Sequence, residues 1–327
     1  MQLLLSITAL EPENKDQLDN FFIIYDTEKN IITKLKFDNI INRSPKINRG
    51  MGICYYKNFF YAALFVREHR VAGRLLIVDL NTGIAVINKL TFSKAMHSIT
   101  PYGDCGIYNM ILANSTQNDT ISIITTYDTQ VITEDIYFDF LSDETRLNLN
   151  WHEEYKYDDL LHINDVYQHG EDLYVSMFYD YKKMDVEIKK DTKQAIINWR
   201  SDKIDNGAIY NLTKQKLVQD NLCQSHSIII NQFDEIVFCN SGTFSIINSK
   251  TGKIAECKGF TRGLCEDKER GGYWVGLSYH RVFCNTLKGA TLQFISYDMK
   301  VENSIDLSKY GKEIYDIIPF KTGRYHL

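Results

Sequence analysis

The sequence predicts an all-β protein, a six-bladed β-propeller with four-stranded blades and a last blade closed by strands from both termini. Three observations predict it: a hairpin pattern that recurs six times, a second apolar strand pair before each copy, and a final unit split between the two chain ends. The recurring hairpin is an apolar strand, a polar turn and a second strand. It occurs as "FFIIYDTEKNIITKLKF" (21–37), "LLIVDLNTGIAVINKL" (75–90) and "ISIITTYDTQVITEDIYF" (121–138). It returns as "GAIYNLTKQKLVQDNL" (207–222), "FSIINSKTGKIAECKGF" (244–260) and "QFISYDMKVENSIDL" (293–307). Apolar alternation on both sides of turns such as Thr-Gly is hairpin chemistry.

The preceding half reads "GMGICYYKNFFYAALF" (50–65), "HSITPYGDCGIYNMILANS" (97–115), "HINDVYQHGEDLYVSMF" (162–178), "HSIIINQFDEIVFCNSG" (226–242) and "RGLCEDKERGGYWVGLS" (262–278). The sixth copy is divided between "IYDIIPF" (314–320) and "MQLLLSITAL" (1–10). Radial repetition of four-stranded sheets is a propeller. A blade shared by both ends closes the ring without open sheet edges. A pair of β-sandwiches is the competing fold, since it too has short, evenly spaced strands. Two hairpins per period, six times over, favour the propeller, a single domain over 1–327.

Bulk properties agree. Aromatic content is 13%, with 21 Tyr and 17 Phe, which favours strands over helices. A net charge of −5 gives no electrostatic case for nucleic acid or an anionic membrane as partner. The opening decapeptide is too short to span a bilayer and lacks the basic region of a signal peptide, so it is read as a strand. None of the seven cysteines forms a Cys-x-x-Cys pair, which points to a reducing cytoplasm. One stretch breaks the rhythm: 179–207 is expected as an inserted loop within the third blade. It is charged, carries Trp199 and Arg200 near its end, and is either a solvated excursion or a lid.

Aligning the six first strands puts Arg49, His97, His162, His226, Arg262 and Tyr315 at one common place. The innermost strand of a blade lines the central channel, so these residues should meet at one mouth. A lone histidine at a strand start is ordinarily a hydrogen-bonded structural residue. Three on consecutive blades, flanked by arginines, are costly to converge unless a ligand, a metal or neutral imidazoles resolve the repulsion. Two chemistries fit. His97, His162 and His226 could hold a divalent transition metal, with the arginines placed for a carboxylate or phosphate. Without a metal, the same ring is an anion pocket with a histidine as catalytic acid/base. Arg49, Arg200, Arg262, Trp199 and Tyr315 are the expected substrate-binding residues. His69, His152, His169, His280 and His326 fall off the aligned position, and no Gly-x-Ser-x-Gly serine elbow is present.

"NWRSDKIDNGAIYN" (198–211), "SHSI" (225–228), "NSGTFSIINSKTGKI" (240–254), "GFTRGL" (259–264) and "VGLSYHR" (275–281) follow in that order. Together they resemble an uncharacterised six-bladed propeller family with a Trp-Arg insertion and the motifs His-Ser, Asn-Ser-Gly, Gly-Phe-Thr-Arg-Gly-Leu and Val-Gly-Leu-Ser. That resemblance covers about residues 160–285 and implies the fold but no reaction. The chain is more distantly similar to the gluconolactonase and senescence-marker propellers, which hold a metal with Glu, Asn and Asp. This chain offers His and Arg at its ring positions instead. The expected function is an enzyme acting on a small anionic, sugar-like or carboxylated metabolite at the channel mouth. The alternative is a non-catalytic propeller that binds a protein or glycan by its rim.

Overall fold

The computed structural model describes residues 1–8, 18–37, 39–41, 47–66, 73–145, 159–201, 205–279 and 287–320. Six sheets, antiparallel except for one added strand, surround a channel. The chain begins with β1 (Gln2–Ile7), β2 (Phe22–Asp26) and β3 (Ile31–Lys34), then a short β4 (Asn39–Ile41). The first complete blade is β5 (Ile47–Tyr56), β6 (Phe59–Val66), β7 (Arg74–Asp79) and β8 (Ile84–Lys89). The second is β9 (Ile99–Cys105), β10 (Tyr108–Ser115), β11 (Thr120–Tyr127) and β12 (Gln130–Asp139). The third is β13 (Ile163–His169), β14 (Asp172–Met177), β15 (Gly207–Asn211) and β16 (Lys216–Leu222). The fourth is β17 (Ser225–Ile230), β18 (Ile236–Asn240), β19 (Ser245–Asn248) and β20 (Ile254–Glu256). The fifth is β21 (Phe260–Asp267), β22 (Gly272–Ser278), β23 (Thr291–Ser296) and β24 (Val301–Asp306).

The sixth blade closes as the sequence predicts. β25 (Ile314–Pro319) is its innermost strand and pairs antiparallel with β1, Leu4 opposite Ile318 and Leu5 opposite Ile317. One blade departs from four strands: β4 adds a fifth to the first blade, parallel to β8, with Ile40 opposite Ala85. The segment that leads from the sixth blade into the first thus covers that blade's outer edge.

Apolar residues pack between the blades. Phe22 of β2 meets Phe60 of β6 edge-on at 5.7 Å, and Trp274 of β22 meets Tyr25 of β2 at the same separation. Buried hydroxyls and one amide then stitch each blade to the next. Ser6 donates to the Met51 carbonyl, Asn114 to Ile163, Ser176 to Ser225, Ser241 to Thr261 and Ser278 to Ile314. Each bond is worth about 1 kcal/mol net, and leaving its partner bare in the interior costs more. Between the first and second blades the Tyr61 and Thr126 hydroxyls bond at 3.1 Å and the fit is also close: a Cβ on Gly52 would lie 2.5 Å from the Ser98 Cα.

The insertion in the third blade is helical rather than a loop. α1 (Tyr181–Ser201) is broken at Asp191, whose φ of −160° and ψ of 97° leave the helical region. Asp180 caps its start by accepting the Lys182 amide at 2.9 Å. Met184, Ile188 and Ala195 bury one face against a cluster that includes Phe140, Leu161 and Tyr179. Packing of that apolar stripe decided the outcome, which the density of charge in the sequence had obscured. No helix among the described residues is long and apolar enough to cross a membrane.

Candidate functional site at the channel mouth

Each inner strand opens with its aligned residue at the same mouth, and the side chains touch in a circuit. The His97 and His162 rings meet edge-on at 5.3 Å. Phe178 stacks on His162 at 4.3 Å and meets His226 at 5.2 Å, and His226 meets Phe260 at 5.4 Å. The Arg262 guanidinium lies over Phe260 at 5.0 Å and over Tyr315 at 4.8 Å. Arg49 lies over Tyr315 at 5.8 Å, and the Tyr315 ring stands 6.4 Å from His97, closing the circuit. All six aligned residues are therefore brought together. Trp199 and Arg200 fall in the last turns of α1, and their side chains lie outside the described residues; so do His69, His152, His280 and His326.

The arginines share one carboxylate. Glu313 Oε2 lies 3.8 Å from Arg49 and 3.9 Å from Arg262, and it accepts the Tyr315 hydroxyl at 2.7 Å. Arg49 in turn donates to the Tyr315 hydroxyl oxygen. Burial pushes the Tyr315 phenol above its ordinary value, as does the carboxylate, while the two guanidiniums pull the other way. Among the described residues, two guanidiniums thus face this one carboxylate.

The histidines are held by their Nδ1 atoms. His97 Nδ1 lies 3.0 Å from the Asn164 amide oxygen, whose own amide nitrogen donates to the His162 carbonyl at 3.0 Å. His162 Nδ1 lies 2.9 Å from both oxygens of Asp159. His226 Nδ1 lies 2.9 Å from the Gln224 carbonyl and 2.8 Å from Ser241 Oγ, which itself donates to Thr261. Carbonyl, amide and carboxylate oxygens only accept, so each Nδ1 carries a proton, and when a ring is neutral its lone pair lies on Nε2. Burial holds His97 and His226 well below the usual histidine range; His162 and Arg262 add to this for His97, Arg262 and His97 for His226. His226 is 5% exposed and its Nε2 has no hydrogen-bond partner. Asp159 and His162 both take positive φ, 80° and 49°, a conformation that costs non-glycine residues about 1 kcal/mol or more each.

The motifs converge here. His226 and Ser227, Ser241 of Asn-Ser-Gly, and Thr261, Arg262 and Gly263 of the Thr-Arg-Gly run form one bonded group, with Ser227 Oγ accepting the Gly263 amide at 2.9 Å. Gly263 has φ of 67°, and a Cβ there would press on Ile317 at 2.9 Å.

The three-histidine metal centre expected from the sequence is not assembled. The Phe178 ring stands between His162 and His226, and among the described residues no three metal-ligating side chains come together. The other departure concerns space. A cavity of about 480 Å³ fills the channel, and its walls run from His97, His226 and Tyr315 to Pro101, His169 and Pro319 at the far ends of the inner strands. Arg49, His162 and Arg262 lie outside those walls, on the mouth side of the circuit.

Sequence reasoning missed Asp159, Glu313, Asn164 and Phe178. Two had a signal: Glu313 stands two before Tyr315 and so on the same strand face, and Asp159 stands three before His162.

No protein-family model matches the chain, and no curated protein matches it. The fold is shared with a Bacteroides caccae protein of unknown function, at 8% identity and a TM-score of 0.55, over 98% of this chain and 99% of that one. Virginiamycin B lyase from Staphylococcus aureus gives 8% identity and a TM-score of 0.41 over 79% of this chain and 69% of that one. The β-propeller domain of Cps50 (Swd1) from Myceliophteria thermophila gives 7% and 0.47 over 92% and 86%. These last two likenesses are too weak to carry an argument. What the comparisons carry is a fold shared with the Bacteroides caccae protein; the motif family and the lactonase-like kinship gain no support from them.

Proposed function

We propose that the ring mouth binds a small anionic metabolite, sugar-like or carboxylated, and works on it by general acid/base catalysis. The observation that carries this reading is the Asp159–His162 pair beside two guanidiniums that share a single carboxylate. Arg49 and Arg262 fix the anion, because a charge-assisted bond to guanidinium is about twice as strong as a neutral one. His162, whose side chain is 25% exposed, is the group that reaches substrate, and Asp159 orients it. With Nδ1–H held by the carboxylate, Nε2 takes the substrate proton and later returns it. His97, edge-on to His162, and Tyr315, between the arginines, shape the pocket. No step is routed through a metal, and elemental analysis of the purified protein tests that expectation separately.

The test is a thermal-shift screen of phosphorylated and carboxylated metabolites against the wild type, His162→Ala and an Arg49→Ala/Arg262→Ala double variant. Anions should stabilise the wild type and not the double variant. His162→Ala should still bind them, with turnover of the best binder lost. If no anion shifts the wild type, or the double variant responds equally, the reading fails. A rim-binding, non-catalytic role is favoured by one observation: Tyr127, Ile132, Ile136 and Tyr137 stand exposed on the outer strands of the second blade. In that case a partner captured by the wild type is also captured by all ring variants, and is lost when Ile132 and Ile136 become threonine.

A further inference from the structure

We propose that the channel chamber behind the ring is a second ligand site, for a small organic cation: an amine with an apolar body. It does not depend on the ring-mouth reading and uses none of its arginines.

At about 480 Å³ the chamber is of the size that takes small molecules. Its middle is apolar, walled by Ile53, Ile99, Val166, Ile228, Leu264 and Ile317. Two carboxyl groups enter it from opposite blades, Asp165 from β13 of the third and Asp316 from β25 of the sixth. Both are tied to backbone: Asp165 accepts the Ile228 amide, and Asp316 accepts Ile53 at 2.9 Å and Ile317 at 2.8 Å. A carboxylate has about four lone-pair sites, so these bonds leave capacity towards the chamber.

No neighbouring cation balances the pair. Among the described residues that line the chamber, Lys268 is the one lysine or arginine. It stands at the far mouth with its side chain 65% exposed, 3.9 Å from Glu266. The second observation is His226. It lines the chamber and is buried; its Nε2, a hydrogen-bond acceptor in the tautomer that the Gln224 carbonyl imposes, is enclosed without a partner and comes within a ligand's reach when the ring turns towards the chamber. Two carboxylates thus border an apolar space, which complements a ligand that brings both donors and positive charge. An anion would be repelled.

Burial is the main cause that raises the Asp316 carboxyl to about 7 and the Asp165 carboxyl above its ordinary value, with Asp165 adding to the rise at Asp316. The other groups that face Asp316 are the thiols of Cys54 on β5 and Cys265 on β21, and its neighbour Tyr315; Glu266, Lys268 and His169 stand at the far mouth. A cation binds the ionised carboxylates, so affinity must rise with pH through that region.

Calorimetric titration with benzylamine and 1,4-diaminobutane, against benzyl alcohol and 1,4-butanediol, tests the site. The amines should bind the wild type and the alcohols should not. Between pH 5.5 and pH 8 the amine affinity should climb about thirtyfold, as ionisation of a group near 7 requires. Asp316→Asn and Asp165→Asn should each weaken amine binding at least tenfold. The wild-type pH profile needs no variant, so misfolding cannot mask the answer. Equal binding of alcohols, a flat pH profile, or no binding of either amine at millimolar concentration overturns the proposal.

Discussion

The ring mouth and the channel chamber are built from the same six inner strands, one step apart, yet they use polar side chains in opposite ways. At the mouth the side chains bond mostly to one another: Arg49 and Arg262 to Glu313, Tyr315 to Glu313, His162 to Asp159. In the chamber they bond to the neighbouring blade's backbone, Asp316 to Ile53, Asp165 to Ile228 and Ser227 to Gly263. Side chains that only hold each other can be exchanged for a ligand; side chains that satisfy buried amides cannot without loss of stability. The mouth is therefore adapted to recognition, and the chamber carboxylates hold the blades together as well as facing the cavity.

The largest effect expected is from removing what both levels share. β25 carries Tyr315 to the mouth and Asp316 to the chamber, and it is the inner strand of the closing blade. Deleting residues 314–327 should give insoluble protein or one without a cooperative melt, since β1 and the face of β21 lose their neighbour. A truncated form with an unchanged melting temperature would break the account of closure.

Next is an opposition in pH dependence. A buried carboxyl raised from 3.8 to about 7 keeps its proton in the folded state, so its contribution to stability falls as pH rises between those values. A histidine depressed below 6.5 has the reverse sign: the unfolded chain takes the proton, and stability is lost as pH falls below 6.5. The two slopes oppose each other in the wild type. Asp316→Asn should leave a melting temperature that rises with pH up to about 6.5, and His226→Gln one that falls towards pH 7. At about 2.1 cal/mol/K of unfolding entropy per residue, each kcal/mol shifts the melting temperature of a 327-residue domain by about 1.5 °C, so melts across pH 4.5–8 resolve them. Parallel curves for the two variants would end the distinction.

Glu313→Gln sharpens the mouth alone. It removes the carboxylate that competes with a bound anion, so affinity for the best anion of the screen should rise several-fold while melting temperature falls slightly. Weaker anion binding would mean that Glu313 positions the arginines rather than competing for them. The smallest effect belongs to His169, exposed at the far mouth off the aligned position. His169→Ala should change melting temperature by no more than the scatter expected of surface substitutions, about 0.5 kcal/mol, and leave anion binding untouched.

By itself the sequence determined the six-bladed architecture, the shared closing blade and the convergence of Arg49, His97, His162, His226, Arg262 and Tyr315. All three follow from periodicity, because a residue at a fixed place in a repeated strand is carried to a fixed place around the axis. Only the tertiary structure decided what those residues do to one another. Glu313 and Phe178 come from segments outside the aligned position, and their pairing with Arg49, Arg262, His162 and His226 joins parts of the chain that no local pattern links. The same holds for the ring protonation. Whether Nδ1 or Nε2 carries the hydrogen depends on which acceptor lies beside it, Asn164, Asp159 or the Gln224 carbonyl, and that is a matter of three-dimensional distance. The helix in place of a loop at 181–201 has the same origin, since burial of Met184, Ile188 and Ala195 stabilises it. Periodic position is written in the order of residues, whereas contact between unlike segments exists only once the ring has closed.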